Sequence, residues 1–374
     1  MADDPEEMLS WDESVFRNEH VFEIDYLPET FHHRESQLES LKYALRPAVR
    51  GSRPLNSMIR GPPGTGKTTA VQKLFGELGG ETDVEVVRVN CQVDSTRYAV
   101  FSRLFEGVFE YEPPASGVSF KKLFGQLTDR LVEDDTVLVV ALDDINYLFY
   151  ENEAGDTLYS LLRAHETHPG AKIGVIVISS DLSLDVIDDL DGRVQSVFRP
   201  EEIYFPRYSR EEITSILRER IDRGFHDGVI GAPQLDLVTE HTADSGDLRV
   251  GIDLLRRAGL HAEMRASRTI TEEDVEAAYE KSKHVHLSRC LRGLSESELA
   301  LIEVLLEHGG KQAGEVYDAF EDETGLGYTR YSELVNKLDQ LGLIAATYAD
   351  VEGRGRSREL ALEYDSQAVL DRLE

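Results

Sequence analysis

The sequence is short of cysteine, of lysine and of long apolar runs, and each shortage excludes something. Only Cys91 and Cys290 occur in 374 residues. They lie about 200 residues apart with no metal-ligand spacing around them, which excludes a disulfide scaffold. The longest apolar runs, such as Val137 to Leu142, have strand length and fall far short of a bilayer crossing, so no membrane association is expected. The segment Met1 to Met8 is acidic with no apolar stretch behind it, and it does not read as a signal peptide. There is no internal repeat and no low-complexity tract. The length suits two or three domains, and 41% hydrophobic residues can support folded cores. The expectation is a soluble, cytosolic, multidomain protein.

Lysine is the more telling shortage. Ten lysines stand beside 30 arginines, and these 40 cations face 71 Asp and Glu, for a net charge of −31. The excess is spread along the chain rather than gathered in a tail. In ordinary salt it would argue against a nucleic-acid partner, because phosphate binding wants a basic face. A lysine-poor, acid-rich surface is also the habit of proteins in a salt-saturated cytoplasm. Molar salt screens charge to about 3 Å, so the acidity costs little there. A halophilic source is expected, and under it local charge says more about partners than net charge does.

Residues 20 to 50 hold an amphipathic stretch ending near Pro47, Gly51 and Pro54. Then short apolar runs alternate with helix-period segments. The predicted strands are Ser57 to Arg60, Val84 to Asn90, Thr136 to Leu142, Lys172 to Ser179 and Glu202 to Phe205. Mostly apolar strands separated by helices imply an α/β fold with a parallel sheet covered on both faces. After Pro206 the pattern is helical: Arg210 to Arg223, Ala232 to Thr242, Asp247 to Ala266 and Thr271 to Val285. A third region holds helices at Ser295 to Glu307, Gln312 to Glu323 and Thr329 to Leu341. A hairpin follows, with strands Ile344 to Tyr348 and Glu359 to Tyr364 and a Gly-Arg-rich turn at Glu352 to Arg358. Three helices and a two-stranded hairpin predict a winged helix.

Gly61-Pro62-Pro63-Gly64-Thr65-Gly66-Lys67-Thr68 follows a predicted strand and opens a helix, which is the full P-loop pattern. Its glycines let backbone N–H groups curl around phosphate oxygens, and the helix start, with Thr69 in its first turn, adds its positive end. Lys67 is expected at the β- and γ-phosphates of ATP or ADP, and Thr68 at Mg²⁺. The run Val137 to Leu142 ends in Asp143-Asp144. These carboxylates would hold Mg²⁺ through water (Asp143) and orient or activate the attacking water (Asp144). The blander reading is a pair of aspartates capping the next helix.

The spelling of the P-loop looks like the AAA+ branch of P-loop ATPases. Asp25 to Glu29, His32-His33-Arg34-Glu35, Asn56 and Val89 to Tyr98 add to this. So do Arg193-Val194-Gln195-Ser196, Phe205 to Tyr208, Gly246-Asp247-Leu248-Arg249 and Gly353-Arg354-Gly355-Arg356. Together, in this order, they resemble archaeal replication initiators of the origin-recognition-complex/cell-division-control type. The resemblance implies a flexible N-terminus at 1–20, an AAA+ nucleotide-binding base at 21–206, a helical lid at 207–287 and a winged-helix DNA-binding domain at 288–374. It places His32 and Arg34 near adenine, counts Tyr208 among the nucleotide-binding residues, makes Arg193 an arginine finger and sets Arg249 on the γ-phosphate. It implies duplex origin DNA as partner, with the replicative helicase or related initiator subunits. Two positions depart from the family pattern: Asp144 replaces a glutamate, and Ser180 replaces an asparagine. Both touch the attacking water, so slow or impaired hydrolysis is expected with nucleotide binding intact.

In the third region, Tyr331, Leu334, Val335, Leu338 and Leu341 form the apolar stripe of the last helix. That leaves Arg330, Asn336 and Lys337 outward, a polar face compatible with a DNA groove. Arg354, Arg356 and Arg358 alternate in the predicted turn and suit a narrow minor groove, or simply a solvated hairpin tip. Two other readings stay open. One is a non-hydrolysing, ATP-dependent DNA-binding regulator; the other is an AAA+ protein remodeller that uses the winged helix for docking.

Overall fold

A computed structural model of the chain describes residues 14–23, 25–80, 83–114, 118–182, 184–292, 294–308, 311–351 and 355–373. Strands β1 (Ser57–Arg60), β2 (Val84–Asn90), β3 (Val137–Asp143), β4 (Lys172–Ser179) and β5 (Glu201–Tyr204) form one sheet in the order β2-β3-β4-β1-β5. Every pairing in it is parallel. The period of two divides β3 between two cores. Leu138, Val140 and Leu142 pack on one face with Phe101, Leu104, Leu123 and Leu158. Val137, Val139 and Ala141 pack on the other with Leu41, Leu45, Val71 and Leu74. Burial on both faces explains why β3 reads as an unbroken apolar run rather than an alternating one.

The connecting helices supply those partners. They are α1 (Glu35–Leu45), α2 (Lys67–Leu78), α3 (Arg97–Phe109), α4 (Phe120–Glu133), α5 (Asn146–Tyr150), α6 (Ala154–Leu162), α7 (Ala164–Thr167) and α8 (Gly192–Gln195). The aromatic-rich helix α3 is a core helix, with Phe101 edge-on to Phe120 and Phe124. Because the strands are parallel, β1 and β3 end at the same edge, where open α/β sheets bind ligands.

Past Pro206 come α9 (Arg210–Gly224), α10 (Ala232–Ser245) and α11 (Leu248–Met264). Helix α9 opens with a reciprocal capping box between Ser209 and Glu212, and Asp247 caps α11. The N-terminal segment differs from its sequence reading. Residues 14–20, expected to be flexible, lie against this helical unit. The backbone N–H groups of Arg17 and Asn18 donate to Gly224 O at 2.8 and 3.0 Å. Phe16 and Phe22 stack around Phe225 at 5.1 and 4.7 Å between ring centroids. The cause is apolar: Val15, Phe16, Val21 and Phe22 are all buried. A reading weighted by the acidic residues before them overlooked these four.

The chain divides into two compact units, Met1–Glu272 and Glu273–Glu374. Helix α12 (Glu272–Arg292) runs past the predicted end at Val285, since no Gly or Pro interrupts it before residue 293. The second unit contains α13 (Glu296–His308), α14 (Ala313–Thr324), α15 (Tyr328–Gln340) and α16 (Ser366–Leu373). Its antiparallel sheet runs β6-β8-β7, from β6 (Lys311–Gln312), β7 (Ile344–Val351) and β8 (Gly355–Leu362). The stripe Tyr331, Leu334, Val335 and Leu338 is buried in its core with Val316, Phe320 and Leu360. The hairpin strands are longer than predicted, so Arg356 and Arg358 stand on β8, in register with Asp350 and Tyr348, rather than in the turn. Arg354 lies outside the described residues.

Candidate nucleotide-binding site

The loop between β1 and α2 is bent by glycines in left-handed backbone, with φ of +68° at Gly64 and +87° at Gly66. A Cβ at Gly64 would collide with the Asp247 carboxylate, and one at Gly66 would crowd Phe31 and the Tyr208 hydroxyl. The Thr65 hydroxyl donates to Pro62 O at 2.9 Å, bracing Pro62 and Pro63 at the loop's outer turn. Lys67 is buried and donates to Gly61 O and Pro62 O, both at 2.7 Å. Burial holds its ammonium down to about 8, against the pull of Asp144 and Asp143. Thr68 and Thr69 lie in the first turn of α2, where free N–H groups favour an anion.

Parallel pairing brings Asp143 to this loop. The Thr68 hydroxyl donates to Asp143 Oδ2 at 3.0 Å, and Arg88 Nη1, from β2, donates to the same oxygen at 2.9 Å. Burial, then the neighbouring Asp144, pushes the Asp143 carboxyl above the usual carboxylate range, with Arg88 and Thr68 opposing. Asp144 itself has φ of +54° and accepts the Ser180 hydroxyl at 3.0 Å. The two departures from the family pattern therefore touch each other. The glycine cradle, the buried lysine and the Thr68–Asp143 pair fit a nucleotide with Mg²⁺. Thr68 and Asp143 would hold the ion, which would supply positive charge to phosphate oxygens.

The helical unit closes the other side. Asp247 packs against Gly64, and both its oxygens accept from Arg249, including Nε at 2.9 Å and Nη2 at 2.5 Å. Hydrogen bonding to Asp247 raises the Arg249 guanidinium, and Asp144 adds attraction. Arg34 is engaged by the protein itself. It is buried, donating to Thr65 O at 3.2 Å, His33 O at 2.8 Å and Pro206 O at 2.7 Å. Its Cζ stands 3.7 Å from the centroid of the Tyr208 ring. Arg34 therefore ties the P-loop to the start of the helical unit. Burial raises the Tyr208 phenol, while His32 is exposed, 3.9 Å from Glu219. Arg193 lies apart from the loop, paired with Asp191 at 2.7 Å and Asp156 at 3.6 Å.

Sequence reading missed Arg88 and Asp247 as site residues. Asp247 carried a local signal, an acid two residues before Arg249, whereas Arg88 showed only as an arginine in a valine-rich strand that also holds Glu85 and Asn90. In the second unit three of the expected DNA-facing cations, Arg330, Lys337 and Arg358, have partners. Arg330 pairs with Glu333 at 2.9 Å, and Arg358 donates to Asn336 Oδ1 at 2.8 Å. Lys337 departs most from expectation, binding the buried Glu298 at 2.7 Å. Among the described residues, no helix is long and apolar enough to cross a membrane.

A parallel sheet with a P-loop at its carboxyl edge and a helical unit closing over it defines the AAA+ class. A family profile described as an AAA domain matches residues 50–185, and one described as a Cdc6 AAA+ ATPase-type lid domain matches residues 214–280. The chain is 72% identical to ORC1-type DNA replication protein 3 of Haloarcula marismortui and 69% identical to ORC1-type DNA replication protein 6 of Halobacterium salinarum, each over the whole of both chains. Both relatives come from halophilic archaea, in keeping with the acidic composition. A solved structure of Aeropyrum pernix ORC1 in complex with DNA is 28% identical, with a TM-score of 0.77 over 97% of each chain. The chain belongs to the ORC1-type DNA replication protein family.

Proposed function

We propose that this protein is an ATP-binding replication initiator that holds duplex origin DNA and helps recruit the replicative helicase, working with related initiator subunits in the cytoplasm at the nucleoid. The observation that carries the nucleotide part is the convergence of Lys67, Thr68, Asp143 and Arg249 on one glycine loop between base and lid. ATP or ADP with Mg²⁺ would then link base to lid. In this reading residues 21–206 are the base, 207–287 the lid and 288–374 a winged helix, with Arg193 acting on a neighbouring subunit's nucleotide. The relative solved with DNA supports a DNA partner, and in this reading α15 and the β7–β8 hairpin are the reading and wing pair. Arg330, Asn336, Arg354, Arg356 and Arg358 are its candidate contacts, with Lys337 demoted by its bond to Glu298. The Ser180–Asp144 hydrogen bond favours slow hydrolysis, and so a switch governed more by binding than by turnover.

The test is a pair of titrations on the full chain near molar potassium chloride. ATP and ADP should bind, and a candidate origin duplex should bind tighter than scrambled DNA. Arg356→Ala should cost about 1–3 kcal/mol of duplex affinity if it reads a base or narrow groove. Failure to bind either nucleotide would reject the AAA+ reading as function. Equal affinity for both duplexes, unchanged by the mutation, would turn the C-terminal unit into a protein-docking module.

A further inference from the structure

Arg88 lies on the edge strand β2, where Asn90 is in register with Asp143 of β3. Two residues back along a strand lands on the same face, so the Arg88 side chain runs along the sheet surface toward the Asp143 carboxylate. Nη1 reaches Oδ2 at 2.9 Å, and the Thr68 hydroxyl meets that same oxygen at 3.0 Å. Asp143 is 5% exposed, while the Arg88 side chain is 35% exposed. A buried carboxylate needs a counter-charge, and the guanidinium supplies one from within the chain. A divalent ion held through Thr68 and Asp143 would meet that guanidinium at close range. Two cations sharing one carboxylate in a poorly screened site weaken each other's hold.

We propose that Arg88 competes with the divalent cation for Asp143 and provides a fixed positive charge at the Thr68–Asp143 pair, so that this chain binds nucleotide with little dependence on Mg²⁺. The inference rests on the nucleotide reading above and adds a residue that sets cation dependence. Lys67 opens α2 at the end of the phosphate loop, and Arg88, from β2, reaches the Asp143 oxygen that also takes the hydroxyl of the next residue, Thr68. The lysine is held by neutral carbonyls and the arginine by the very acid that would otherwise face the metal. An incoming phosphate therefore meets two fixed cations, and the metal's contribution to affinity is small.

The experiment measures Kd for ADP and for a non-hydrolysable ATP analogue with the full chain, in Mg²⁺ and in EDTA, at molar potassium chloride. Wild type should change by no more than about threefold between the two conditions. Arg88→Gln should bind at least about tenfold more weakly in EDTA while keeping its affinity in Mg²⁺, and Arg88→Lys should restore the wild-type ratio. Binding of Mn²⁺ alone, followed by its electron paramagnetic resonance signal, should tighten in Arg88→Gln. A wild-type ratio above about tenfold would overturn the inference whatever the variants do, while leaving nucleotide binding intact. An equal loss for Arg88→Gln in both conditions would reduce Arg88 to a structural brace. No binding by wild type in either condition would remove the nucleotide reading and this inference together.

Discussion

Lys67 and Lys337 are held in opposite ways, and the contrast separates the two units of the molecule. Lys67 is 5% exposed and is met by two neutral carbonyls, so its charge is buried without being cancelled. Lys337 keeps a side chain 53% exposed, and its ammonium is cancelled by a carboxylate that is 3% exposed. A buried, uncancelled cation is unfavourable until an anion arrives, which is how a binding site behaves. A cancelled one holds the fold. The same chemical group thus serves the proposed nucleotide site in one unit and architecture in the other.

The sharpest way to break this comparison is Lys67→Ala. Nucleotide affinity should fall by more than about 100-fold, because the phosphates lose the one cation placed within the loop itself. The melting temperature should not fall, since the substitution also removes a poorly solvated charge. Calorimetric titration and a thermal scan of the same sample check both halves. A protein that melts earlier while still binding nucleotide would give Lys67 the structural role assigned here to Lys337.

Lys337→Ala should do the reverse. It leaves the Glu298 carboxylate buried without its cation, at a cost of about 1–3 kcal/mol to the second unit, discounted because the lysine end is half in water. Burial pushes the Glu298 carboxyl up, but the hydrogen bond from Lys337 and the N–H of Ser295 outweigh it and hold it below its ordinary value. A depressed carboxyl stabilises the fold above its unfolded value and loses that contribution as pH falls through the folded one. The gap between wild type and Lys337→Ala should therefore be full at pH 7 and narrow below 4.5. Denaturant unfolding at the two pH values measures it. Duplex binding by the variant, compared where both proteins are folded, should change little.

These contrasts explain what could be read from the chain beforehand. The P-loop was legible because phosphate binding fixes residue type and spacing within eight consecutive positions, and β3 because double burial leaves an uninterrupted apolar run. The α15 stripe was legible by its period, which says which face is buried. Period does not say which outward residues are claimed by neighbours. Lys337 is outward by phase and yet belongs to Glu298, 39 residues away. Arg88 was missed for the same reason, since its partner Asp143 comes from another strand; Asp247 has a local partner in Arg249, but its contact with Gly64 of the P-loop has no local sign. Arg34 donates to three carbonyls from three separate segments, which no local spacing announces. Contacts closed by tertiary structure leave no local pattern.

The smallest effect concerns Asp144 and Ser180, and it extends the comparison from cations to acids. Glu298 is paired directly with a cation, whereas the direct hydrogen bond to the Asp144 carboxylate, among the described residues, comes from a hydroxyl, Ser180 Oγ at 3.0 Å. Its backbone is left-handed, with φ of +54°. Aspartate tolerates that region because its short side chain can bond locally, while a glutamate there costs about 1 kcal/mol or more. Asp144→Glu alone should therefore gain nothing in turnover, the longer reach being offset by strain and by the displaced serine bond. Ser180→Asn alone sets a longer amide against an unchanged Asp144 and should also gain nothing. The double variant keeps the backbone strain at 144 but removes the serine bond and matches an amide to the longer acid, and it should speed hydrolysis by up to about tenfold. Single-turnover phosphate release, with ADP affinity measured alongside, decides it. Equal gains from either single change would show that the two residues act separately, and that their hydrogen bond does not limit the attacking water.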